Sequence, residues 1–262
     1  MVTGGARRVG AAVTRELALH GADVLIHTHS SKAEGEALAR ELPGRNRVLQ
    51  ADLRAPSGAE KLLEEATQAA EGRSPDILVH AAASFLRRPV LETTAEDWDA
   101  VHALNTRAFF LLARGLAALR GGEGGDLIAI GDAAALELWP GYLAHSVSKA
   151  ALLSLVRALA KALAPGFRVN AVVPGPVLLP EGTPADEAEA IRSRTLLDRL
   201  GRPEHVAQAV RFLLECDYAT GSALEITGGS NLWRGVAARR QDPTGVERRP
   251  RGGVPGGEAE TP

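Results

Sequence analysis

Two kinds of run alternate along the chain. Short, nearly all-apolar stretches stand at 22–27, 47–51, 77–81, 126–130, 168–173 and 223–227. Between them lie longer stretches with apolar residues on one helical face, at 9–19, 32–41, 57–70, 94–120 and 142–163, and a last one opens at Pro203. The short runs predict strands buried on both faces and the longer ones amphipathic helices. Punctuation agrees. Gly21 stands just past the first helix, and Pro43 and Pro165 follow two others. Thr94 with Asp97 three residues on reads as an N-cap, and Pro203 suits a first helical position. Strand and helix in alternation predict βαβ units, hence a single α/β domain with a doubly wound parallel sheet.

The two ends depart from this pattern. Only Met1 and Val2 precede Thr3, whereas a central strand ordinarily spans about five residues. A truncated first strand is expected, in a chain that begins downstream of its natural start. At the other end, residues 235–262 hold six Gly and four Pro and no apolar residue larger than Val. Such a segment buries too little surface to offset the entropy of ordering, so a disordered tail is expected after a folded domain at 1–234.

Composition narrows the function classes. Thirty basic residues against 32 acidic ones leave a net charge of −2, which gives no electrostatic footprint for nucleic acid. The densest apolar stretch, 108–113, is far shorter than the ~18 residues a membrane span needs. Glycines and arginines follow Met1 within eight residues, unlike a signal peptide. Cys216 is the one cysteine, which excludes a disulfide framework and a multi-cysteine zinc site. A cytoplasmic protein is expected, with no metal, no nucleic-acid partner and no membrane partner.

Chemistry enters at the first turn. Thr3-Gly4-Gly5-Ala6-Arg7-Arg8-Val9-Gly10 lies between the strand stub and the first helix. Small residues there let backbone approach a pyrophosphate, and the helix N-terminus offers it unpaired N–H groups, as in Rossmann-type folds. A reader of the ribose 2′-hydroxyl would be an acid after the second strand. The segment reads His27-Thr28-His29-Ser30-Ser31-Lys32, without an acid. Hydroxyls, imidazoles and a lysine suit a 2′-phosphate, so NADP(H) is expected over NAD(H), with His29, Ser30 and Ser31 as its readers.

These motifs, in this order, resemble the short-chain dehydrogenase/reductase family over residues 1–232. Gly4 and Arg7 to Gly10 resemble its Thr-Gly-x-x-x-Gly-x-Gly turn, with Arg8 where the middle Gly usually stands. Asp52-Leu53 resembles the adenine-contacting pair. The run ILVHAAA at 77–83, with Ala81 beside the cofactor, takes the place of Asn-Asn-Ala-Gly. Pro174-Gly175 resembles the turn beside the nicotinamide, with Val177 placed to hold its carboxamide through backbone atoms. Within the family, the Arg7-Arg8 pair, His29-Ser30, Ser84-Phe85 and Asp132 are similar to the pteridine reductases. That resemblance implies a pterin-like or carbonyl substrate stacked on Phe85 and near Tyr142, and a lid at 178–197. It also implies a homo-oligomer of two or four copies. Read from composition alone, Phe85 is equally a core residue.

The catalytic helix departs from the family. The family carries Tyr-x-x-x-Lys, but four residues before Lys149 stands His145, and neither Tyr142 nor Tyr218 has a lysine four residues on. Residues four apart share a helix face, so His145 and Lys149 reach one pocket. Histidine, with an ordinary pKa of ~6.5, can donate a proton, though the neighbouring ammonium opposes imidazolium. Three readings follow. His145 is the acid; Asp132 is the acid, directly or through water; or the chain binds NADP(H) without turnover, as a sensor or partner subunit. The resemblance implies that Lys149 binds the nicotinamide ribose and that Asn105 holds a water in the proton relay. Replacement of Asn-Asn by His80-Ala81 is expected to remove bracing hydrogen bonds.

Overall fold

A computed structural model describes residues 1–180 and 182–232. Seven strands form one parallel sheet in the order β3-β2-β1-β4-β5-β6-β7. They are β1 (Val2–Thr3), β2 (Leu25–Thr28), β3 (Arg47–Gln50), β4 (Ile77–His80), β5 (Gly125–Ile130), β6 (Phe167–Pro174) and β7 (Ala223–Ile226). The helices are α1 (Arg8–Leu19), α2 (Lys32–Glu41), α3 (Gly58–Ala69), α4 (Ala95–His102), α5 (Ala108–Arg120), α6 (Ala134–Glu137), α7 (Leu143–Leu163), α8 (Ala185–Ser193) and α9 (Pro203–Glu215). Successive strand side chains point to opposite faces, so each strand feeds two cores. Leu25, Leu78, Leu127 and Val169 pack with Leu62, Leu112, Leu116 and Leu152 of α3, α5 and α7. Ile26, Val79, Ile128 and Val172 pack with Val13, Leu17, Val206 and Val210 of α1 and α9. A sheet covered on both faces explains why its strands read as continuous apolar runs.

β1 is short but central. Val2 pairs with Ile26 and Val79, and Thr3 with His27 and His80. The strand order reverses here, and in such sheets the crevice beyond the carboxyl ends of the strands is where ligands bind. The expected helix from Thr94 to 120 is two helices joined by a π-helical turn at Ala103–Arg107. Its start is as expected: Thr94 Oγ1 accepts from Asp97 N–H and the Asp97 carboxylate from Thr94 N–H. Helix α7, at 21 residues, is long and apolar enough to cross a bilayer by length and composition. Here Leu152, Val156, Leu159 and Ala160 seat it in the protein core. The expected tail at 235–262, and residues 233 and 234 of the expected domain, lie outside the described residues.

Candidate active site

The carboxyl ends of β1, β2, β4, β5 and β6 open into one cavity of about 1400 Å³. At one end lies the turn that enters α1. Gly4 has φ +63°, and a Cβ there would stand 2.9 Å from Ala82 Cα; a Cβ on Gly10 would stand 2.0 Å from the Gly4 carbonyl oxygen. Only glycine permits so close a fold. No acid occupies the first turn of α1 and no side chain caps it, so its N–H groups are left for an anion. Arg7, Arg8 and Val9 line the same end. Arg8 holds φ +54°, a left-handed conformation that favours glycine, and its guanidinium donates to the Leu178 carbonyl at 3.3 Å. These features fit a diphosphate.

Two buried histidines brace this turn. His27 Nδ1 accepts from Gly4 N–H at 3.2 Å, and its Nε2–H donates to the Ala51 carbonyl at 3.1 Å. His80 Nδ1 accepts from the Thr3 hydroxyl at 2.9 Å, and its Nε2–H donates to the Leu104 carbonyl at 3.1 Å. A carbonyl only accepts, which places a proton on Nε2 of both rings, and the Gly4 N–H can only donate, which makes His27 neutral. Burial pushes the His27 pKa down to about 4 and the His80 pKa, helped by the Lys149 ammonium, down to about 3. One expectation is corrected here. His80 supplies bracing bonds rather than removing them.

His29, Ser30 and Ser31 do line the cavity. Thr28 Oγ1 accepts from Ser31 N–H at 2.9 Å and shapes this loop. Asp52 and Leu53 line the same wall. Arg54 grips the Asp52 carboxylate through its backbone N–H, Nε and Nη2 at 2.9–3.0 Å, which lowers the Asp52 pKa to about 2. Arg54 also faces the cavity, a cation not singled out in the sequence. Ala81, Pro174, Gly175 and Val177 border the middle of the cavity. The Val177 N–H donates to the Gly175 carbonyl at 2.8 Å.

At the far end Asp132, His145, Lys149 and Asn105 come together. The π-helical turn presents the buried Asn105 to the loop after β4. Asn105 Oδ1 accepts from Ser84 N–H at 2.7 Å, and its Nδ2 donates to the Ser84 carbonyl at 3.1 Å and to Ser148 Oγ at 2.9 Å. These bonds lock the loop onto α7. His145 Nδ1 donates to the same Ser84 carbonyl at 2.9 Å. Its Nε2 is buried without a hydrogen bond and lies 3.3 Å from Asp132 Oδ2. With Nδ1–H held by Ser84, Nε2 is the ring nitrogen left facing Asp132. Asp132 Oδ1 is fixed by Ala134 N–H at 2.8 Å, at the start of α6. Its side chain is 24% exposed against 2% for His145, so the carboxylate is the more open of the two to the cavity. Lys149 Nζ donates to the Ile130 carbonyl at 2.7 Å. Burial lowers its pKa to about 8, against the pull of Asp132.

An aromatic wall flanks this cluster. Phe85 is 46% exposed and lines the cavity, which rejects its reading as core. Its ring lies 4.4 Å from Tyr142, 4.8 Å from His145 and 6.5 Å from Trp139, centroid to centroid. Tyr142 precedes α7 instead of sitting on it, and takes no place in the proton-bearing cluster. Trp139 was not foreseen; its indole donates to Glu137 at 2.7 Å.

Comparison with known proteins agrees with this geometry. Residues 4–231 match the family described as enoyl-(acyl carrier protein) reductase. Carbonyl reductase family member 4 of Danio rerio is 32% identical over 88% of this chain and 97% of its own. A short-chain dehydrogenase/reductase from Serratia marcescens superposes with a TM-score of 0.81 at 31% identity, covering 88% of this chain and 96% of that one. FolM alternative dihydrofolate reductase 1 from Brucella canis, complexed with NADP, gives 0.80 at 33%, covering 90% and 95%. With a seven-stranded parallel sheet, the glycine cradle and relatives matched over most of its length, the chain belongs to the short-chain dehydrogenase/reductase family of oxidoreductases.

Proposed function

We propose that this chain is an NADPH-dependent reductase of a pterin-like or carbonyl small molecule, with His145 as its proton donor. One observation carries the reading: a single cavity joins the glycine cradle at Gly4 and Gly10 to the His145–Asp132–Lys149 cluster. The dinucleotide would rest on the turn from Gly4 to Gly10, with its 2′-phosphate at His29, Ser30 and Ser31. When bound, NADPH supplies the hydride. The protein supplies the rest. Lys149 is positioned by the Ile130 carbonyl and offers ammonium hydrogens to ribose hydroxyls. Phe85 and Tyr142 present a flat apolar face on which a planar substrate stacks. With its Nδ1–H held by the Ser84 carbonyl, His145 would act as the imidazolium, giving its Nε2 proton to the facing Asp132 carboxylate, which passes it to the cavity and takes up the next one by the same path. The NADP complex of the Brucella canis relative supports the cofactor. The same reading carries an assembly of two or four copies in the cytoplasm.

The test is consumption of NADPH and NADH by the purified protein with dihydrobiopterin, a quinone and a keto ester. NADPH oxidation with at least one probe, at lower concentration than NADH, is expected. NADPH binding without oxidation of any probe contradicts the reading and favours a binding protein.

A further inference from the structure

Arg87 and Arg88 are adjacent but face different partners. Arg88 donates its backbone N–H to the Gly141 carbonyl at 3.0 Å and pairs its guanidinium with Asp97 at 2.6 Å. It ties the loop after β4 to α4 and to the segment before α7. Arg87 is exposed and faces the cavity, its guanidinium carbon 6.0 Å from the Tyr142 ring centroid, with no carboxylate partner among the described residues. A similar contrast recurs on the lid. Arg192 pairs with Glu189 and Asp198, while Arg194 lines the cavity with no carboxylate partner among the described residues. Of the carboxylates around the cavity, Asp132 accepts from Ala134 N–H and faces His145, Asp52 is held by Arg54, and Glu137 accepts from Trp139 and Ser230. Glu187 on α8 is the remaining acid.

The order of groups is therefore a proton donor at His145, a flat ring surface at Phe85 and Tyr142, and then a guanidinium at Arg87. A guanidinium fork matches a carboxylate in shape and charge, and desolvation beside an aromatic wall strengthens that contact. Resting on the reductase reading, we propose that Arg87, with Arg194 of the lid, forms a subsite for a carboxylate on the substrate. The substrate class is then a planar heterocycle whose reducible bond meets His145 and whose anionic tail runs past Tyr142 to Arg87.

Dihydrofolate and its dimethyl ester test this directly, because they share the ring and differ in the two carboxylates. Dissociation constants are measured by calorimetry on the NADP⁺-loaded protein, so the readout does not depend on turnover. Dihydrofolate is expected to bind ~10-fold tighter than the ester, as for one charge-assisted contact. That ratio should shrink on raising salt and collapse toward one in Arg87→Gln, with Arg87→Lys restoring part of it. Equal binding of acid and ester by the parent protein, with the ring still bound, overturns the subsite and leaves the reductase reading standing. A preference that survives in both Arg87→Gln and Arg194→Gln also overturns it. If neither compound binds, the subsite and the pterin-like substrate fall together.

Discussion

The neutral histidines under the cofactor turn make the fold sensitive to mild acid. In the unfolded chain a histidine takes a proton below ~6.5. In the folded protein His27 resists until about 4 and His80 until about 3. Both folded pKa values are depressed, so the unfolded state binds more protons between the two limits and stability falls as pH falls. Above pH 6.5 the stabilisation is fully present. One proton per histidine is worth ~1.4 kcal/mol per pH unit, so between pH 6.5 and 5 each group removes ~1.5 kcal/mol and the pair ~3 kcal/mol. Against a typical 5–15 kcal/mol total, that is a large fraction. The perturbation is His80→Asn, alone and with His27→Asn; asparagine keeps a donor and an acceptor but does not titrate. Urea unfolding is followed by circular dichroism at pH 7.5, 6.5 and 5. The parent should lose ~1.5 kcal/mol more than His80→Asn over the acid interval, and ~3 kcal/mol more than the double variant. Because the comparison is a difference, other titrating groups cancel. Parallel losses in parent and double variant would refute the neutral, inward-bonded assignment of both rings.

Two further outcomes follow from a buried and a part-buried cation. Lys149, with its pKa lowered to about 8, is an ammonium below that value and loses its charge above it; NADPH affinity, read by cofactor fluorescence, should weaken by up to ~10-fold per pH unit above 8, and Lys149→Met should bind weakly without that slope. Arg168 donates to the Leu213, Leu214, Cys216 and Ala219 carbonyls around the end of α9 and pairs with Asp126 at 2.6 Å; Arg168→Met should lower the unfolding free energy by ~3 kcal/mol in a urea melt, since it leaves a part-buried carboxylate unpaired.

The strands β2 to β7 and helices α1 to α3, α7 and α9 lie within about three residues of their expected bounds, because period-2 and period-3.6 patterns are local properties of sequence. The π-helical turn at Ala103–Arg107 was not legible: the apolar pattern runs straight through it, and the insertion is stabilised by tertiary bonds of Asn105 to Ser84 and Ser148. Helices α6 and α8 were missed; α6 is four residues long, and no residue of α8 is buried. In the site, glycine spacing and the Lys149 register could be read in advance. What His80 does could not, since its partners Thr3 and Leu104 lie 77 and 24 residues away. His145 is similar: its Nδ1 partner, Ser84, is 61 residues distant. Arg54, Arg87 and Trp139 belong to loops after β3, β4 and β5 that are far apart in sequence. Only the reversal of strand order at β1 brings those loops to one rim.

The proposed reduction depends on a proton delivered from the imidazole at position 145. Its most direct measurement is kcat/KM for NADPH-dependent reduction by the parent, His145→Phe and His145→Tyr. A phenyl ring fills the space but carries no proton, while a phenol does carry one. The parent should turn over, His145→Phe should lose ~100- to 10,000-fold with NADPH still bound, and His145→Tyr should retain turnover. A His145→Phe protein within about threefold of the parent contradicts that dependence, far below the range a positioned acid supplies.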